Sequence, residues 1–450
     1  MTRNLLLNMT ANGSLGRDGE NLFVVRRGEG PYVEDADGNR YIDGLSGLYC
    51  CQLGYSYAEE FATAAAEQLR ELCFSPLWSA SAHPTAIELA ERLAGIAPMD
   101  VEHTFFSSGG AEAVESAWKI ARKYHTLRGE PRRTKAISRR GAYHGLTIGA
   151  LSLTDDPALT EPFGPPAIET VFVSNTSRAG QPSEFADDAV FTRHLLAELE
   201  GAIVAEGPET IAMLIVEPVQ NRGGCITPPD GYWPGLRVLA DRYGFLLVAD
   251  EVITAFGRLG EWFGGDRYDA RPDIVTVAKG LTAGYAPMGA TLVGAQVAEV
   301  INQPGAVLNH GYTFSGHPLS AALALRSLHI VERDRVLDNV RDLQDHLGKR
   351  MADLGPLPVV GDVRGAGFFY ALELVGDAED GGFSDAARNA LVGDLIPRRL
   401  REAGLLARVY NRAAPLLQIA PPLVSDRELL DRIADIIAET LDEASHAIAR

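Results

Sequence analysis

The chain has 450 residues, 46% hydrophobic and 22% charged, enough to bury a large core over two or three units of about 150 residues each. Forty-one Lys and Arg against 60 Asp and Glu give a net charge of −19 with no Lys/Arg-rich run, which argues against nucleic acid or an anionic membrane surface as partner. Four cysteines (Cys50, Cys51, Cys73, Cys225) make neither a CxxC pair nor a disulfide framework, and Leu5-Leu6-Leu7 is too short for a signal core, so a soluble, cytoplasmic protein is expected.

In chain order, the first 30 residues are polar and Gly-containing and read as an irregular arm. Tyr32-Val33-Glu34-Asp35 and Arg40-Tyr41-Ile42-Asp43 flank Asp37-Gly38, a hairpin signal. Helical spacing follows over 61–72 and 84–93. Thr104-Phe105-Phe106 is a short strand that runs through Ser107-Ser108-Gly109-Gly110 into a helix over 111–124. Further apolar strands are expected at 211–216, 245–249, 274–278 and 291–294, with a helix at 233–243 between two of them. Strand–helix alternation over some 200 residues implies an α/β fold with a largely parallel sheet covered on both faces. A long helix begins near 318, and a mixed α+β tail follows from about 330. We expect an arm and part of a smaller domain at 1–60, a large domain at 61–325, and the rest of the smaller domain at 326–450. No internal repeat is present.

Ligands of an open parallel sheet sit beyond the carboxyl ends of its strands, so the residues after each strand carry the chemistry. The Gly109-Gly110-Ala111 turn opens a helix, whose free N–H groups and positive end suit an anion; an ordinary glycine turn is the plainer reading. Strand 211–216 ends in Glu217-Pro218, and strand 245–249 ends in Asp250-Glu251. Either acid reads equally as a solvated loop charge, but a carboxylate emerging from a buried strand needs a cationic or N–H partner. Strand 274–278 ends in Lys279-Gly280, and a lysine beside apolar walls can lose its proton and attack a carbonyl. Ala142-Tyr143-His144-Gly145 places an aromatic beside a glycine, suited to stacking on a flat ring; His144 suggests acid–base work, but no triad pattern accompanies it. Tyr312-Thr313 in the 311–316 segment offers a hydroxyl ahead of a helix. A phosphate turn, a stacking aromatic, a strand-end acid and a strand-end lysine are together what pyridoxal 5′-phosphate requires. No metal is called for.

The segments 248–258 and 277–281 closely resemble the class III (ω) aminotransferases of pyridoxal-phosphate fold type I. So do 141–145, Glu217-Pro218-Val219-Gln220, 309–318 and Ala420-Pro421-Pro422-Leu423. The likeness runs in family order from about Arg26 to the C-terminal region and is nearest to the amine:pyruvate and β-alanine:pyruvate type. It implies a mostly parallel, seven-stranded-type sheet in the large domain and a smaller α+β domain drawn from both chain ends.

The resemblance also implies roles. Lys279 would be the Schiff-base lysine and Asp250 the partner of the pyridine nitrogen. Val252 and Tyr143 would flank the ring, with His144 and Glu217 near it. Gly110 and Ala111 would bind the phosphate, Ala111 without the hydroxyl that many relatives carry as Ser. Tyr312 and Thr313 would reach a partner subunit's phosphate, so a homodimer or dimer of dimers with the active site at the interface is expected. Tyr49, Trp78 and Tyr143 would frame the substrate, and Arg408 would be the mobile arginine that binds a carboxylate. Arg222 replaces a small residue of relatives and reads either as a pocket cation or as a solvated loop charge. The implied activity is ping-pong transfer of an amino group from a primary amine or ω-amino acid to an α-keto acid such as pyruvate. An aminomutase or racemase of the same fold, or a cofactor-binding regulator, is the alternative.

Overall fold

The computed structural model describes residues 4–15, 22–376, 382–411 and 414–448. A seven-stranded sheet runs in the order Val101–Ser107, Gly289–Gly294, Ile274–Val277, Leu246–Asp250, Ile211–Val216, Lys135–Arg139, Glu169–Val173. Gly289–Gly294 is antiparallel to both neighbours, and the other pairings are parallel. This is the mostly parallel α/β sheet that the strand–helix alternation predicts.

Its central strands Ile211–Val216, Leu246–Asp250 and Ile274–Val277 are buried at every position because helices cover both faces. Side chains alternate between two cores. Leu214, Val216, Leu247 and Ala249 meet the helices Pro84–Ile96, Asp188–Glu206, Tyr232–Tyr243 and Pro318–Arg333. Met213, Ile215, Leu246 and Val248 meet the helix Gly110–Leu127 through Val114, Ala117, Ile120 and Ala121.

Two strands of this sheet escape the sequence reading. Lys135–Arg139 and Glu169–Val173 are short and begin on charges, and Lys135 is neutralised at the sheet rim by Glu169 and Glu206 at 2.8 and 2.7 Å. The hairpin forms as expected between Tyr32–Asp35 and Arg40–Asp43, held by the Asp35 carboxylate, which accepts the N–H groups of Asp37 and Asn39. The arm before it is more ordered than its composition suggests: Val25–Glu29 is a strand paired with Tyr32–Asp35. Gly28 is required there, since a Cβ would lie 2.5 Å from the Tyr55 ring.

The two chain ends meet where Leu405–Leu406 adds in parallel to Arg40–Asp43. A third sheet is built from Val360–Ala366, Phe369–Leu374, Leu416–Ile419 and Arg408–Tyr410. The helix Arg427–Ile448 joins the same core through the stripe Leu430, Ile433, Ala434, Ile437, Leu441, Ala444. Among the described residues, no helix is long and apolar enough to cross a membrane.

Candidate active site

The helix Gly110–Leu127 starts without a side-chain cap on its first turn: Gly109 is extended, and Glu112 instead turns back to accept the Ser108 N–H at 2.7 Å. The positive end of an 18-residue helix therefore faces a cavity of about 490 Å³ lined by Gly110 and Ala111. Two close approaches shape this end. A Cβ at Gly110 would lie 2.8 Å from Val252 Cγ1, and one at Gly145 (φ +133°) would lie 2.6 Å from Ala111 Cβ.

Tyr143, His144, Glu217, Val252, Asp250 and Lys279 line the same cavity. Asp250 ends its buried strand, and its carboxylate is held on both oxygens. His144 Nδ1 lies 2.6 Å from Oδ2, while Oδ1 accepts the Val252 N–H at 3.1 Å and the Thr276 hydroxyl at 3.2 Å. These bonds replace the water lost on burial. His144 Nε2 and Glu217 Oε1 are buried without a protein partner. Burial pushes the Glu217 carboxyl up, against the pull of nearby His144.

Lys279 stands two residues beyond its strand, at the head of the turn Lys279–Thr282, with φ +39°. Gln52 holds that turn by donating to the Gly280 carbonyl at 3.0 Å, and a side chain at Gly280 would run into it. Burial lowers the Lys279 pKa below the ordinary lysine value despite the nearby Cys50 and Asp250.

A second cavity of about 180 Å³ shares Tyr143 and Lys279 with the first and adds Tyr49, Asn221, Arg222, Arg408, Tyr410 and Gln418. Arg408 Nη1 donates to the Tyr49 hydroxyl at 3.2 Å, which donates to Gln418 Oε1 at 2.7 Å. Gln418 Nε2 donates in turn to Asn221 Oδ1 at 3.0 Å. Tyr49 also puts its ring centroid 5.7 Å from Lys279 Nζ. Arg222 lines this cavity and pairs with Asp156, so its charge is not that of a loop cation in water.

Three expected site residues lie elsewhere in the single chain. Trp78 is 55% exposed and lines neither cavity. Positive φ at Ser79 and Ala80 bends its segment, and its ring lies against Gly311, so it is not a pocket wall here. Tyr312 donates to the Glu112 carbonyl at 3.1 Å, and Thr313 is exposed; both also lie outside the cavities.

Sequence reasoning missed Thr276, Gln52, Gln418 and Asp156. Thr276 and Gln418 did carry a signal, each being the polar residue in an otherwise apolar strand run. The site fits pyridoxal 5′-phosphate on its own terms. It has an uncapped helix end for a phosphate, a fixed buried carboxylate for a ring nitrogen, and a lysine of lowered pKa for an aldehyde. Two buried polar atoms there also lack protein partners.

Residues 15–441 match the family model described as Aminotransferase class-III. A probable aminotransferase of Mycobacterium tuberculosis is 44% identical over 98% of this chain and 93% of its own length. A putrescine–pyruvate aminotransferase of Pseudomonas aeruginosa is 37% identical over 94% and 91%. Among solved structures, a thermostable (S)-enantioselective ω-transaminase from Thermomicrobium roseum superposes with a TM-score of 0.92 at 40% identity, covering 98% of this chain and 96% of that one.

Proposed function

The chain belongs to the class III aminotransferases, which work with pyridoxal 5′-phosphate, and from that premise we propose how its residues divide the work. It moves an amino group from a primary amine or ω-amino acid to an α-keto acid such as pyruvate. The observation that carries the assignment is the convergence of the Gly110 helix end, Asp250 and Lys279 on one cavity. When bound, the cofactor supplies an aldehyde that takes up the amino group and a ring that accepts electrons from the substrate carbon.

Asp250 keeps a proton on the ring nitrogen, and His144, Val252 and Thr276 hold its carboxylate in place for this. Lys279 would be the residue that holds the cofactor through its aldehyde, and its amine would carry the proton to and from the substrate carbon. Its lowered pKa supports that base role. Gly110 and Ala111, at the helix end, would hold the phosphate through backbone N–H groups, and Tyr143 and Val252, which line the same cavity, would flank the ring. Glu217, beside His144 in the same cavity, would lie near the ring. Arg408, tethered to Tyr49, takes the keto acid's carboxylate and moves aside for an uncharged donor.

We read the working unit as a two-fold homodimer in the cytoplasm, with Tyr312 and Thr313 completing the partner's phosphate site. This is supported by their position outside the chain's own cavities, beside a patch where Phe74, Trp78 and Phe314 are 38, 55 and 61% exposed. Residues 61–325 would form the cofactor-binding domain and 1–60 with 326–450 the smaller one, in keeping with the strand pairing of the two chain ends. The test is a donor panel with pyruvate: alanine and the donor's ketone or aldehyde should form in equal amounts. Racemisation or isomerisation of a donor without alanine would replace this reading with that of a racemase or mutase.

A further inference from the structure

Lys279, Arg222 and Arg408 are all cavity-lining cations in the smaller cavity, and among the described residues none that lines it is acidic. One cation serves the chemistry, and one arginine suffices for one carboxylate. The guanidinium carbons of Arg408 and Arg222 lie 4.6 and 5.7 Å from the centroid of the same Tyr410 ring, which bounds their separation at about 10 Å. A short dicarboxylate bridges such a gap when each carboxylate meets its guanidinium at about 2.7–2.9 Å.

The second arginine is also presented to the cavity. Asp156 takes its Nη2, while Nη1 is buried with no protein hydrogen-bond partner. Asp156 is itself locked, because its Oδ1 caps the turn Pro157–Thr160 by accepting the Ala158 N–H at 3.0 Å. A buried donor left unsatisfied is costly, and a ligand carboxylate is the group that relieves it without breaking the Asp156 pair. The chain Arg408–Tyr49–Gln418–Asn221 ends one residue before Arg222, so the two guanidinium groups hang on one connected frame.

We infer that Arg222 and Arg408 form a two-point anion clamp, and that the preferred substrates carry a second carboxylate at the end remote from the reacting carbon, as amino and keto dicarboxylic acids do. Asp156 is the positioning residue of that clamp. The inference rests on the aminotransferase reading above.

The test is calorimetric binding of two unreactive probes, glutarate and butyrate, to the cofactor-loaded enzyme. Two engaged guanidiniums should make glutarate bind roughly 10–100-fold more tightly than butyrate, the range expected for one added charged hydrogen-bond pair. In Arg222→Met the preference should fall to about 2-fold or less, Arg222→Lys should restore part of it, and Asp156→Asn should reduce it. Equal binding of the two probes by the wild-type enzyme, or an undiminished preference in Arg222→Met, overturns the clamp. The wild-type comparison decides the matter even if a variant fails to fold. Alanine formation from pyruvate and a neutral amine is measured alongside. Its absence with every donor would reject the aminotransferase reading while leaving the probe comparison intact.

Discussion

The two cavities share Lys279 and Tyr143 but are built by different means. In the cofactor cavity the reactive groups sit at or just beyond ends of sheet strands, or on the first turn of a buried-face helix. Asp250 is steadied by a backbone N–H two residues on and by Thr276, its register partner on the next strand. In the substrate cavity the placing is done by side chains acting on side chains across long stretches of sequence, as from Tyr49 to Gln418. On the proposed reading, the chemistry leans on strand ends and a helix end, and the selectivity on side chains that can be exchanged one at a time. Damage in the first region should stop the reaction; damage in the second should redistribute it among substrates.

The comparison breaks if the first region tolerates substitution. Lys279→Ala should lose at least ~10³-fold in turnover together with the yellow absorbance of lysine-bound cofactor, as expected when nucleophile and base are removed at once. A coloured, active variant would remove Lys279 from the mechanism. Asp250→Asn should retain cofactor yet slow turnover by roughly 10²–10³-fold, because an amide does not stabilise a positively charged ring nitrogen. Stopped-flow measurement of one half-reaction gives that number directly.

In the second region, Arg408→Ala should slow the pyruvate half-reaction by roughly 10–100-fold, the worth of a charged hydrogen-bond pair. The half-reaction with an uncharged amine should suffer far less. Equal losses in both halves would mean that Arg408 supports the fold rather than the carboxylate. Tyr49→Phe removes one hydroxyl and two bonds of the chain to Gln418. It should raise the KM for keto acid by about 2–10-fold, with a smaller change in kcat.

The smallest effect concerns pH. Burial lowers the folded-state pKa of Lys279 below 10.5, so in the cofactor-free protein the unfolded chain binds a proton that the folded chain sheds. The resulting penalty on stability is full below the lowered pKa and fades as pH rises toward 10.5. Lys279→Met abolishes it. The gap between denaturation midpoints of variant and wild type, taken without cofactor from pH 7 to 10, should therefore narrow as pH rises. A constant gap would indicate an unperturbed amine.

What was legible in the sequence follows the same division. Asp250 and Lys279 stand out because a charge directly after a run of buried strand residues is anomalous, and the anomaly survives without knowledge of the rest of the chain. The central strands were legible for the same reason, while the charged-ended Lys135–Arg139 and Glu169–Val173 were not. The Asp250–His144 contact joins residues 106 apart and has no local signature, so His144 could be noted but not given its partner. Arg222 showed two faces in the sequence, and only the fold brings it to Asp156 and Tyr410. Trp78 lines neither cavity of the single chain; Ser79 and Ala80, which follow it, have positive φ, and a Ser-Ala pair does not announce that conformation.

The hydrogen-bond chain from Arg408 through Tyr49 and Gln418 to Asn221 has a consequence for the protein's birth on the ribosome. The chain's own groups in the cofactor cavity all lie between Gly110 and Lys279, so they are synthesised well before Arg408 and Gln418. Tyr49 is made earlier still, but its hydroxyl has no Gln418 acceptor until 369 residues later. A nascent chain therefore carries every residue of the cofactor end before it can close the bonds that tie Tyr49 to Arg408 and Gln418. A chain ending after Lys279 would keep the reactive groups and Arg222 but lose Arg408 and Gln418 from the second cavity.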